Sequence, residues 1–161
     1  MSTNIFLVPC DSPNFDDTVR SPVDLDGFPD HPSAFNGKGT VRFWGAREGS
    51  QNRNYFEKMQ SGDLVLFYQD GRYIGIGWIG TKFEDEDEWV STTFWRNAPS
   101  NLIYTIQNFQ TADVPKSAVN NLFGYVDDYN PEGLIRVAKN RMKHRPKAIE
   151  HALIRYTEEH S

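Results

Sequence analysis

Short β-rich segments with very little chain between them are the feature that most limits how this sequence folds. Residues 64–68 form a continuous apolar run of strand length, and residues 73–79 form the next strand-like segment. The residues between them include Asp70-Gly71, which is a strong signal for a tight turn joining two antiparallel strands. The sequence therefore predicts a β-hairpin at this point.

Four further segments, 5–8, 40–44, 88–95 and 102–107, have the alternation or the β-branched and aromatic content of strands. Six short strands this close together do not suit a parallel α/β sheet, in which helices separate the strands. They suit a barrel or a curled sheet. We expect one domain over residues 1–161.

Helices are predicted at 52–60, at 115–122 and from Pro146 onward. The last helix is amphipathic, because apolar residues follow Ile149 at i+3, i+4 and i+7. We expect this stripe to pack on the sheet. Residues 9–39 are rich in proline, glycine and aspartate and are predicted to form a long loop.

Charge and aromatic content narrow the possible partners. The net charge of −5 argues against a general polyanion binder, because non-specific affinity for nucleic acid comes mostly from neutralised phosphates. The charge is nevertheless uneven: residues 84–88 are all acidic, whereas the C-terminal segment 136–161 begins with six cations between Arg136 and Lys147. One interpretation is that a nucleic acid binds the basic face of an acidic protein. The other is that the acidic and basic runs are both only solvated surface.

The motifs that resemble catalytic or cofactor sites lack the context that such sites need. Residues 75–80 match G-x-G-x-x-G, but they lie within a strand pattern and precede the acidic run, not a helix. The four histidines show no metal-ligand spacing, and Cys10 is a single cysteine without activating neighbours. No acidic residue stands two positions before a lysine, as a common nuclease core requires. We expect no cofactor, no metal and no enzymatic activity.

The sequence also predicts where the protein resides. No apolar run reaches the length of a membrane span. The N-terminal residues lack a basic region followed by a long apolar segment, so no secretory signal is expected. The single cysteine excludes an internal disulfide. We expect a cytoplasmic protein that does not associate with a membrane.

An ordered set of short motifs begins at Trp44 and includes Gly45-Ala46-Arg47, Gln51-Asn52-Arg53-Asn54-Tyr55, Met59, Gly62-Asp63 and Phe67-Tyr68. This order resembles the signature of EVE domains, which are PUA-like proteins related to the YTH readers of methylated adenine. Two departures from the family pattern are an extra residue before Gln51 and Gln69-Asp70 in place of His-Ser. The long loop and residues 122–125 are similar to the N-terminal specificity domains of modification-dependent restriction systems of the McrB type.

The resemblance implies an α+β fold, a PUA-like curled β-barrel of about six strands with flanking helices, that binds a modified nucleobase. A reader of a single base takes it out of the stack and stacks it again on aromatic side chains. We expect the strand ends that carry Trp44, Tyr68, Trp78 and Trp95 to meet at one rim, and Trp89 to serve in packing. The residues expected at the base are Trp44, Gly45, Asn52, Asn54, Tyr68, Gly77, Trp78 and Trp95, and those expected at phosphates are Arg47, Arg53 and Arg96.

The resemblance leaves several functions open. The first is a DNA reader that flips a methylated base into an aromatic cage and serves a nuclease or NTPase, either fused or separate. The others are an RNA-modification reader, a protein that binds or acts on a small molecule or nucleoside, and an interaction domain whose aromatic residues only pack. For an enzyme, Asp63 and Asp70 are the carboxylates in this segment that we nominate, and neither has an obvious partner in the sequence. The kinship with YTH domains slightly favours N6-methyladenine as the base, but a C5-modified cytosine would suit the same aromatic rings.

Overall fold

The structure is a computed structural model that describes residues 3–95 and 100–161. Its strands are β1 (Ile5–Pro9), β2 (Val23–Asp24), β3 (Thr40–Ala46), β4 (Leu64–Gln69), β5 (Arg72–Glu84), β6 (Leu102–Pro115) and β7 (Ile135–Arg136). Its helices are α1 (Ser50–Lys58), α2 (Trp89–Thr93), α3 (Lys116–Phe123) and α4 (Pro146–Glu159). The predicted α+β class is confirmed. None of the helices in the described ranges is both long and apolar enough to cross a membrane.

The described strands form one curled sheet in the order β2-β3-β6-β5-β4-β1-β7. The predicted hairpin is β4–β5, and it lies near the centre of the sheet. All strand pairs are antiparallel except β1 and β4, which are parallel. Register shifts between β5 and β6 interrupt the ladder at three places. Such irregularities bend strands and increase their twist, so this pair curls the sheet toward a barrel.

Two predictions about local structure are wrong. Residues 88–95 were predicted as a strand, but Trp89–Thr93 forms α2. Trp89, Val90 and Ser91 are consecutive and all buried, which a strand with one buried face does not allow, since its neighbours point to opposite sides. A carboxylate oxygen of Asp85 accepts a hydrogen bond of 2.8 Å from the Val90 backbone N–H and so supports the start of this helix.

The predicted 9–39 loop contains more ordered structure than its composition suggested. It includes a helical turn at Asp16–Arg20, the strand β2 and two single turns at Leu25–Gly27 and Ser33–Phe35. Apolar side chains from this segment, among them Phe15 and Phe35, are fully buried. The segment therefore covers one face of the sheet, because those side chains supply part of the core.

Two apolar cores lie on the two faces of the sheet. The first includes Phe6, Trp44 and Phe67 together with side chains from the 9–39 segment. The second includes Leu7, Leu66 and the buried face of α4. Ile149 and Leu153 are almost completely buried there, so the amphipathic stripe packs on the sheet as predicted.

The glycines of the G-x-G-x-x-G segment lie inside β5 and allow close packing against β6. A Cβ atom on Gly77 would clash with the Ile106 side chain, and one on Gly80 would come within 2.5 Å of the Thr105 hydroxyl. Gly75 similarly faces the ring of Phe109. The spacing of these glycines therefore reflects contact between two strands.

Candidate nucleic-acid interface

A cavity of about 300 Å³ opens where the C-terminal ends of β1 and β3 meet the beginning of β6. We call it the Trp44 pocket. Its lining includes Trp44, Gly45, Arg47, Asn52, Ser100 and Tyr104. Pockets for small ligands begin at about 300 Å³, so the volume suits one nucleobase better than a dinucleotide.

The aromatic wall of the Trp44 pocket comes from two neighbouring strands. Trp44 on β3 and Tyr104 on β6 are directly paired, so their side chains project from the same face of the sheet. The indole of Trp44 is 7% exposed, and its ring centroid lies 5.1 Å from that of Trp95 and 5.8 Å from that of Phe15. These edge contacts hold the Trp44 ring in position before any ligand arrives.

Tyr104 brings a buried polar group to this wall. The residue is fully buried, and its hydroxyl has no hydrogen-bond partner among the described residues. Burial raises the pKa of Tyr104 well above its ordinary value, so the hydroxyl keeps its proton. An unpaired buried hydroxyl costs about 1–3 kcal/mol, and a polar atom of a ligand would recover part of that free energy.

Gly45 lines the pocket, whereas Trp95 is not part of the lining and packs behind Trp44 and Gly45. A Cβ atom on Gly45 would lie 2.8 Å from the Ile103 side chain and 3.1 Å from the Trp95 ring. The glycine therefore lets Trp95 approach the strand closely. Trp95 supports Trp44 from this position, and its indole N–H has no partner among the described residues.

Asn52 joins three parts of the chain at the edge of the pocket. Its amide nitrogen donates to the Arg47 carbonyl (2.9 Å), and its amide oxygen accepts from the Leu134 backbone N–H (3.0 Å). The side chain therefore fixes the end of β3 against the segment before β7. Asn54 lies on the same helix, is exposed and is not part of the pocket lining.

The two predicted phosphate-binding arginines near the pocket differ in their surroundings. Arg47 lies at the pocket and is exposed. The guanidinium of Arg53 forms ion pairs with Glu48 and Glu84, whose hydrogen bonds raise the pKa of Arg53. Arg47 therefore has the freer charge. Arg96, the third predicted phosphate contact, lies outside the described residues.

The expectation of one rim shared by Trp44, Tyr68, Trp78 and Trp95 is wrong. Trp78 packs against the second core, and its indole N–H donates to Glu150 (2.8 Å). Tyr68 also packs there, and its hydroxyl donates to the Asn130 side chain (2.8 Å). Gly77 contacts Ile106 within the sheet. Trp44 and Trp78 occupy different faces because the register of β5 against β6 shifts between Ile79 and Lys82, which reverses the alternation of side chains.

Tyr104, Asp11 and Ser100 also line the pocket, and none of them was predicted as a site residue from the sequence. Asp11 follows β1, and one of its carboxylate oxygens accepts a hydrogen bond from the Asn14 amide (2.9 Å). A carboxylate can accept a hydrogen bond from the exocyclic amine of cytosine. No local pattern marks Asp11, because the parallel pairing of β1 with β4 brings it to this place.

Within residues 3–95 and 100–161, no cluster of three or more histidine, cysteine or carboxylate side chains is arranged to hold a metal ion. Burial raises the pKa of the Cys10 thiol to about 12, so this thiol is protonated at neutral pH. A protonated thiol is a poor nucleophile.

Comparison with known proteins gives a likeness in structure. No protein-family model matches the sequence, and no curated protein matches it. The N-terminal domain of McrB from Thermococcus gammatolerans, solved bound to m5C DNA, is similar with a TM-score of 0.71 and 17% identity. That similarity covers 94% of this chain and 99% of the McrB domain.

A second solved structure has the same architecture. The YTH domain of the Zygosaccharomyces rouxii MRB1 protein, in complex with N6-methyladenosine RNA, is similar with a TM-score of 0.51 and 14% identity. The match covers 94% of this chain and 86% of that domain. Both neighbours bind methylated nucleic acid. The resemblance read from the sequence is confirmed at the level of the fold: this chain has the curled-sheet fold of the McrB N-terminal and YTH domains.

Proposed function

We propose that this chain reads a modified base in nucleic acid, with DNA preferred over RNA, by accepting the flipped base in the Trp44 pocket. The observation that carries the proposal is the buried wall of Trp44 and Tyr104 beside a cavity of about 300 Å³. A flipped base loses its stacking partners, and an aromatic face restores about 1–3 kcal/mol per base. The buried Tyr104 hydroxyl has no partner in the described residues and would give the base edge a polar contact.

The preference for DNA is supported by the greater structural likeness to the domain that was solved with m5C DNA. Asp11 at the pocket suits the exocyclic amine of a cytosine, and Trp44 suits a C5-methyl group through apolar contact. We therefore place a C5-modified cytosine ahead of N6-methyladenine as the base. The RNA reader remains the second candidate, because the YTH domain shares the fold.

The proposal assigns no reaction to the chain. The Cys10 thiol is protonated at neutral pH. The buried Asp63 carboxylate accepts hydrogen bonds from Asn4 and from the Gln60 backbone N–H. Cleavage of a recognised DNA would then belong to a nuclease or NTPase that is fused to this domain or recruited by it. Such a reader would act in the cytoplasm, as predicted from the sequence.

The test is a titration of matched oligonucleotides, duplex and single-stranded, that differ only in one base. That base is 5-methylcytosine, 5-hydroxymethylcytosine, N6-methyladenine or the unmodified base. We expect the tightest binding to the duplex with a C5-modified cytosine. Equal affinity for all of these oligonucleotides would refute the modified-base reader.

Tyr104→Phe connects the titration to the pocket. This change removes a buried hydroxyl that has no partner in the described residues, so the free energy of unfolding should stay constant or increase. Affinity for the preferred modified DNA should nevertheless decrease by about fivefold, the equivalent of one lost hydrogen bond. Unchanged affinity with unchanged stability would show that the hydroxyl does not contact the base.

A further inference from the structure

A second concave surface lies at the other end of β1 from the Trp44 pocket. It is an open groove of about 720 Å³ whose lining begins at Thr3, just before β1, and continues through the segment that precedes α4. We call it the basic groove. Its main side chains are Trp78, Lys139, Lys143, Arg145 and Lys147.

The charge of this groove contrasts with that of the whole chain. The protein carries a net charge of −5, yet residues 133–149 contain six lysines and arginines and no carboxylate. Lys143 and Arg145 are exposed, and neither forms an ion pair with any carboxylate in the described residues. Their charges are available to an external anion.

Lys139, which lines the groove, is held close to a further cation, Arg136, which lies outside the lining. Nε of Arg136 and Nζ of Lys139 both donate to the same side-chain oxygen of Asn4, at 2.9 Å and 3.0 Å. Partial burial and the neighbouring Arg136 lower the pKa of Lys139. The carboxylate behind them, Asp63, is buried and bonded to Asn4. An anion in the groove would relieve the repulsion between these two cations.

The floor of the groove is a fixed aromatic ring. The Trp78 indole N–H donates to Glu150 (2.8 Å), and the Lys147 ammonium lies 5.3 Å from the centroid of the indole ring. Glu150 is 2% exposed and pairs with Lys147 (3.0 Å), so it is largely shielded from the groove. Cations around an aromatic surface are typical of sites that follow a nucleic-acid strand.

The N-terminus of α4 also faces this groove, through Pro146 and Lys147. No side chain caps this 14-residue helix at Arg145. The uncapped backbone N–H groups carry the positive end of the helix dipole, which attracts phosphate. The exposed cationic side chains and the dipole of α4 therefore both favour phosphate as the ligand.

We propose that the basic groove binds the sugar–phosphate backbone of a nucleic acid, as a contact surface separate from the Trp44 pocket. The inference does not rest on the base-reading function, since a backbone contact is independent of base identity. β1 connects the two surfaces and spans roughly 17 Å for its five residues. A nucleic acid held in the groove would stay near the pocket while successive bases are sampled.

The test compares Lys143→Glu/Arg145→Glu with a matched control, Lys38→Glu/Arg155→Glu, which makes the same change in net charge. Arg155 is exposed on α4, nine residues beyond Pro146, and neither control residue lines the groove or the Trp44 pocket. The probe is a short unmodified DNA duplex, titrated over a range of salt concentrations. All four substituted residues are on the surface, and thermal melting checks that both variants fold.

We expect the groove variant to bind the duplex at least about tenfold more weakly, and the slope of log K against log salt to fall by about two. The groove variant should keep the wild-type ratio of affinities for modified and unmodified DNA. A decrease in that ratio is expected only for substitutions in the Trp44 pocket. Equal affinities and salt slopes in the groove variant and the control overturn the proposal. The proposal is also overturned if the wild-type protein binds phosphatidylserine vesicles through the groove and does not bind the duplex.

Discussion

The Trp44 pocket and the basic groove each contain a tryptophan, and the two rings differ in the groups that hold them and in the charges around them. Trp44 is fixed by aromatic edges, and its wall contains a hydroxyl without a partner in the described chain. Trp78 is fixed by a hydrogen bond to Glu150 and is surrounded by cations. The pocket is therefore suited to one base, and the groove to a charged backbone.

This difference shows why a tryptophan in a strand is a weak indicator of function by itself. What distinguishes the two sites is the chemistry around each ring: unpaired polar groups and a small cavity at Trp44, and unneutralised charge at Trp78. Contacts with bases carry specificity, whereas contacts with phosphates carry affinity without sequence information. The two sites would then contribute separately to binding.

The largest expected effect comes from removing each ring in turn. Trp44→Ala should abolish discrimination between modified and unmodified DNA, a change of about tenfold or more, because the base loses its stacking surface. Trp78→Ala should leave that ratio unchanged. Parallel titrations of both variants with the matched oligonucleotides measure the two ratios.

Both alanine variants should also be less stable, by about 3–5 kcal/mol for the buried ring of Trp44 and by less for the half-buried ring of Trp78. Trp44→Phe and Trp78→Phe, which keep more of the packing, serve as folded controls in thermal melting and in the titrations. Loss of discrimination in Trp78→Phe but not in Trp44→Phe would reverse the assignment of the two sites.

Glu150→Gln should have an intermediate effect, on stability and its dependence on pH. Burial opposes ionisation of Glu150, but the Trp78 N–H and the Lys147 ammonium outweigh it and hold the pKa below its ordinary value of 4.5. Ionised Glu150 therefore stabilises the fold at neutral pH, and this contribution is lost as pH falls through the lowered pKa. At pH 7 the variant should unfold more easily by about 1–3 kcal/mol.

Urea unfolding of both proteins over a series of pH values measures this contribution. The difference in unfolding free energy should decrease below pH 4.5, as the carboxyl of the wild type becomes protonated. A difference that is constant down to the acid range would show that the charge of Glu150 contributes nothing.

The smallest expected effect is a difference between Arg47 and Arg53 in the salt dependence of DNA binding, although the sequence predicted a phosphate contact for both. Arg47→Gln should lower the salt slope of DNA binding by about one, the value for one lost phosphate contact. Arg53→Gln should leave the slope unchanged, because Glu48 and Glu84 already neutralise that guanidinium. If the two variants give the same slope, Arg47 does not have the freer charge.

Much of the fold follows from local sequence. Asp70-Gly71 marks the β4–β5 turn, and the spacing of Ile149 and Leu153 marks the buried face of α4. These features depend on residues that are neighbours along the chain, so the pattern contains the information. The 88–95 segment was assigned wrongly because β-branched and aromatic residues also occur in a short helix buried on several sides.

The sequence by itself determined the strand-rich class, the hairpin, the C-terminal amphipathic helix and the ordered motifs around Trp44. The tertiary structure decided which of the aromatic residues share a site. A one-residue change in register moves every side chain of a strand to the opposite face, and the bulges in β5 are such changes. The parallel pairing of β1 with β4, across nearly sixty residues of chain, likewise brought Asp11 to the pocket. Pairings this distant arise from packing of the whole sheet, which no local pattern of residues records.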